Sequence, residues 1–129
     1  MRSPLFLILD DSEAKIQVEK DAIRAANWPG DILIAMTTEE AEKILTQHEI
    51  TAAFIDYYVP STNGPAFILQ LIRKYPACKV ILVTSANNPK NIAEAIDAGA
   101  IGAVYTGSID AEEQLEQYVL NWKAELETR

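Results

Sequence analysis

Cysteine is nearly absent: Cys78 is the one thiol among 129 residues. That excludes a disulfide framework, a CxxC redox pair and a cysteine-based zinc site, and it fits a reducing cytoplasm. Histidine is equally scarce, with His48 alone, so no imidazole cluster is available for a metal. Basic residues are few. Eleven Lys and Arg face nineteen Asp and Glu, a net charge of −8, which repels polyanions and leaves no direct role on nucleic acid or an anionic membrane. Long apolar runs are missing too. The stretch Leu5 to Leu9 is too short for a signal peptide core or a membrane span and stops at two aspartates, so neither is expected. Low-complexity stretches, longer repeats and interdomain linkers are also lacking. What remains is a chain of one-domain length, 1–129, in which 49% hydrophobic residues suffice for a core without staples.

Five short apolar runs recur: Leu5 to Leu9, Ile32 to Met36, Ala52 to Ile55, Val80 to Val83 and Ile101 to Tyr105. Several lack polar alternation, the pattern of parallel strands covered on both faces. Helical patterns separate them. Ser12 can cap a helix to about Ala26, and Thr37-Thr38-Glu39-Glu40 reads as a capping box for a helix through Gln47. Asn63-Gly64-Pro65 opens a third helix that should stop before Tyr75-Pro76. Pro89 suits the first turn of a fourth, with Ile92, Ala95 and Ile96 on one face and Gly99 as its stop. Asp110 and Glu113 offer a capping box for a fifth, striped by Leu115, Val119, Trp122 and Leu126. The order is βα repeated five times, an α/β class with a doubly wound five-stranded parallel sheet.

In such sheets the site lies beyond the carboxyl ends of the strands. The residues there are Asp10 and Asp11 after the first strand, Asp56 after the third, Thr84 and Ser85 after the fourth, and Thr106 after the fifth. Carboxylates held close together repel unless one takes a proton or a cation neutralises the set. With only oxygen ligands, the cation is hard, Mg²⁺ or Mn²⁺. The plainer alternative is that Asp10 and Asp11 cap a helix and Asp56 ends a strand.

The double acid, Asp56 with Pro60 four and Gly64 eight residues on, Thr84-Ser85, and the run from Ile81 through Gly102 together resemble the receiver domain of two-component response regulators, over essentially the whole chain. The resemblance implies a flavodoxin-like receiver fold. It also implies that Asp56 is the phosphoacceptor, that Asp10, Asp11, Asp56 and the Tyr58 backbone carbonyl hold Mg²⁺, and that Thr84 meets the phosphoryl group beside a small Ser85. The donor would be a sensor histidine kinase or a phosphotransfer protein in the cytoplasm. Such a domain is a signalling phosphoprotein and not an enzyme; these residues do not identify its output domain or downstream protein, and pairing into a homodimer stays open.

Two family positions depart from the pattern. The lysine expected at the end of the fifth strand is Thr106, and the switch aromatic is Ala103. Thr106 carries no charge, so the phosphate clamp is weakened; Lys90 is a candidate to reach in instead. Tyr105 lies on the same face of the strand as Ala103, and Tyr58 is bulky enough to shield the site or simply to pack. These losses keep a second reading open, a pseudo-receiver that binds partners without phosphorylation. A third, a small phosphohydrolase, would need an acid two residues after its nucleophile, where this chain has Tyr58.

Overall fold

The computed structural model describes residues 3–128, so both ends of the expected 1–129 domain, residues 1, 2 and 129, lie outside the described residues. Five strands form one parallel sheet: β1 (Phe6–Leu9), β2 (Ile32–Ala35), β3 (Ala52–Ile55), β6 (Lys79–Thr84) and β7 (Ala103–Tyr105). Their spatial order is β2-β1-β3-β6-β7, the doubly wound order expected of βα repeats. A short antiparallel ribbon, β4 (Tyr58–Val59) with β5 (Thr62–Asn63), lies between β3 and the third helix, so the fifth strand of the sequence pattern is β7.

Alternation along the strands sends side chains to two cores. Leu7, Leu9, Ala53, Ile55, Val80 and Leu82 pack against α2 (Thr38–Gln47), α3 (Gly64–Lys74) and α4 (Pro89–Ala98). Phe6, Ile8, Phe54, Ile81 and Val83 pack on the other side against α1 (Glu13–Ala25) and α5 (Ala111–Glu127), where Trp122 lies 5.9 Å from Phe6 and 6.0 Å from Phe54, ring to ring. At the sheet edge, β2 is only partly covered, and Ile34 is exposed despite the apolar run.

Helix starts follow their caps. Ser12, Thr37, Asn63 and Asn88 each accept a backbone N–H of the first turn, and Gly99 ends α4 at φ 127, where only glycine is unstrained. The expected box at α5 does not form. Asp110 makes no side-chain cap and instead accepts a 2.8 Å bond from Gln114 Nε2 one turn on. On α4, Ile96 is exposed; Asn91 and Ala95 are the buried positions, because the stripe facing α3 and the sheet is narrower than the apolar pattern. No helix among the described residues is long and apolar enough to cross a membrane.

Candidate functional site

The strand register builds the site. Leu9 pairs with Ile55, so Asp10 and Asp56, the next residue on each strand, emerge side by side although 46 positions apart. The Asp56 N–H donates to Leu9 O at 2.9 Å and the Asp10 N–H to Ala35 O at 3.1 Å, which ties both backbones to the sheet. Asp10 is fully buried, Asp56 nearly so and Asp11 exposed. One carboxylate oxygen from each of the three lies within 4.8 Å of the others. Oxygen donors this close, all formally anionic, fit a hard divalent cation.

Local chemistry orients the acids. Asp10 Oδ1 accepts the Ser12 N–H at 2.9 Å, the same turn that caps α1. Asp56 Oδ1 accepts the Tyr57 N–H at 2.9 Å, while Asp56 Oδ2 has no hydrogen-bond partner among the described residues. Gly64 stands directly under this loop: its N–H donates to Tyr57 O at 2.7 Å, and a Cβ there would overlap the Asp56 carbonyl oxygen. That is the physical content of a glycine eight residues after the aspartate. Pro60 and Ser61 turn the ribbon, Ser61 at φ 81, and Pro60 O accepts the Thr38 hydroxyl at 3.1 Å.

Thr84 is buried at the end of β6, its hydroxyl accepting the Ala86 N–H at 3.1 Å; Ser85 is exposed. Thr106 donates its hydroxyl to Thr84 O at 3.3 Å and its N–H to the same oxygen at 2.9 Å. It bonds the neighbouring strand, not the acids. Ala103 is half-buried on the α4 side, and Tyr105 folds its ring over Gly107, where a Cβ would collide with it. Tyr58 is 58% exposed and leans on Tyr57, 4.8 Å between ring centroids, with its hydroxyl accepting from Asn91 Nδ2 at 3.3 Å.

The cation in the pocket is one the motif reading overlooked. Lys15 Nζ sits 3.0 Å from Asp10 Oδ2, 2.9 Å from Asp56 Oδ1 and 3.2 Å from Val83 O. Lys90 is exposed, and its contact is a backbone cap bond to Asn88, so it does not reach in. Lys15 lies in the first turn of α1, where the helix dipole disfavours a cation and side chains slant back toward the N-terminus, here toward Asp10. A lysine at that unfavourable position just after two acids was the available signal. Burial by itself would lower the Lys15 pKa, but the hydrogen bond to Asp56 and the charges of Asp10 and Asp56 outweigh it and hold the value above that of a free lysine. Asp56 is pushed up, by burial first, with the Lys15 hydrogen bond and charge opposing and the Asp10 charge adding to it. Beneath them Glu19 is buried with neither oxygen hydrogen-bonded; burial, then the Asp10 charge, pushes its pKa well above the usual carboxylate range.

The family model of the response regulator receiver domain matches residues 6–117, most of the chain. The chain belongs to this family. The receiver domain is 24% identical over 92 residues to the transcriptional regulatory protein CitT of Bacillus subtilis (strain 168), covering 71% of this chain but 41% of CitT, so it spans well under half of that protein. Among solved structures it is similar to a BeF3-activated DrrB receiver domain, with TM-score 0.80 at 16% identity over 94% of this chain and 97% of that one. A CheY-like response regulator receiver domain protein from Methanospirillum hungatei JF-1 superposes with TM-score 0.77 at 21% identity, covering 96% and 99% of the two chains. These likenesses establish the flavodoxin-like receiver fold of a two-component response regulator, in a family that binds Mg²⁺ at an acidic pocket.

Proposed function

We propose that Asp56 is the phosphoacceptor, taking its phosphoryl group from a phosphohistidine on a cytoplasmic sensor kinase or phosphotransfer protein. The carrying observation is the buried Asp56 carboxylate, with one oxygen held by Lys15 and Tyr57 and the other free of protein donors, beside Asp10 and Asp11. A carboxylate oxygen of Asp56 forms the new O–P bond as the P–N bond to the donor imidazole breaks, the electron pair leaving with the imidazole nitrogen. Asp11, Asp56 and the Tyr58 carbonyl hold Mg²⁺, with Asp10 orienting the set. Bound there, Mg²⁺ offsets the charge of the acids and of the incoming phosphoryl oxygens. Thr84, at the end of β6, is the hydroxyl that turns from Ala86 to a phosphoryl oxygen, and exposed Ser85 leaves the approach open. In this role the domain is a signalling element and not a turnover catalyst.

Incubation with acetyl phosphate and Mg²⁺, read by intact mass, tests this. Wild type should gain one phosphoryl group and Asp56→Asn none. No gain in wild type at saturating donor would refute the reading and favour the phosphorylation-independent pseudo-receiver.

A further inference from the structure

We propose that Lys15, from the first turn of α1, binds the phosphoryl group carried by Asp56, supplying from a helix the positive charge that the end of β7 does not. This rests on the phosphoacceptor reading. An ammonium has three N–H donors, and Lys15 faces three acceptors: Asp10 Oδ2, Asp56 Oδ1 and Val83 O, all within 3.2 Å. Its side chain is 14% exposed, so this is a seated cation and not a solvated one. When Asp56 becomes an acyl phosphate, its own oxygens lose most of their charge and two negative charges appear on the phosphoryl oxygens two bonds further out. Val83 O continues to hold one of the lysine's donors, and the Asp10 carboxylate remains its ion-pair partner. The donor released by Asp56 Oδ1 turns to the nearest new anion on a flexible four-carbon stem.

Thr106 is not a rival. Its hydroxyl is engaged by Thr84 O and carries no charge. Between the two residues lies an open cleft of about 350 Å³, lined by Lys15, Val18, Thr106, Ser108 and Ile109, which leaves the ammonium room to shift. The same geometry makes Lys15 a competitor of the divalent cation, because both seek the Asp10 and Asp56 oxygens. Removing it therefore has two effects of opposite sign, a signature that a merely structural lysine does not have.

The test compares wild type with Lys15→Met. Mg²⁺ affinity is measured by calorimetry without a phosphoryl donor, and beryllofluoride affinity by tryptophan fluorescence at saturating Mg²⁺. Lys15→Met should bind Mg²⁺ several-fold more tightly and beryllofluoride roughly tenfold to a hundredfold more weakly, the worth of one charge-assisted hydrogen bond. Unchanged beryllofluoride affinity would overturn the proposal, and so would loss of both ligands together. If the variant does not fold, wild type still decides: the Lys15 Nζ resonance should shift on adding beryllofluoride, and a stationary signal refutes the clamp. A wild type that binds Mg²⁺ but takes neither beryllofluoride nor acetyl phosphate instead fails the phosphoacceptor reading itself, and this inference with it.

Discussion

Replacing Glu19 by methionine should stabilise the protein, and by more as the pH rises. The side chain is 1% exposed on the face of α1 that packs on the sheet and α5, and both carboxylate oxygens lack a hydrogen bond. A buried polar group without a partner costs roughly 1–3 kcal/mol, which methionine of similar length removes. The carboxyl pKa is raised in the folded state, first by burial and then by the Asp10 charge. The folded chain therefore keeps a proton that the unfolded chain releases. Glu19 costs least below its unfolded pKa, and stability falls as pH rises through the window between the unfolded and folded values. The slope there approaches about 1.4 kcal/mol per pH unit. Urea or thermal unfolding, followed by Trp fluorescence in EDTA at several pH values from 5 to 8, isolates Glu19 as the difference between the two proteins. At pH 7 the variant should melt higher, by roughly 3–5 °C for each kcal/mol gained, and the gap should narrow toward pH 5. A constant gap, or a less stable variant at pH 7, would show that Glu19 is ionised or partnered in the folded protein.

Gly64→Ala should depress Mg²⁺ binding and Asp56 phosphorylation together, since the added Cβ displaces the Asp56 to Tyr57 backbone; calorimetry and intact mass read both, and unaffected values would mean the loop yields freely. Asn63→Ala should cost about 1 kcal/mol in urea unfolding through loss of the 2.9 Å cap to the Ala66 N–H. Cys78, its thiol pushed up to about 12 by burial, should react with a disulfide reagent at pH 8 only at the rate of unfolding, so prompt labelling of the native protein would contradict its placement.

The βα order, the helix starts at Ser12, Thr37 and Asn63, the first turn at Pro89, and the gathering of Asp10, Asp56 and Thr84 at one rim were legible in the sequence. Each rests on local chemistry: a cap needs one side chain and its own next turn, and an unbroken apolar run marks a strand covered on both faces. Where local rules had competitors, the sequence misled: Asp110 bonded Gln114 in place of capping α5, and Ile34 and Ile96 looked buried by pattern yet face outward. The role of Gly64 could be seen as a spacing but not as a contact. Its reason is the approach of α3's first residue to the Asp56 carbonyl, which exists only once β3 and the ribbon are placed. Which groups Lys15 meets was decided by tertiary structure; its place in the first turn of α1 after two acids was the one hint the sequence held. In sequence Lys15 is one charge in a helix whose dipole opposes it; the register of β1 on β3 and the end of β6 bring Asp10, Asp56 and Val83 O to it from three strands, and no local rule spans 68 residues.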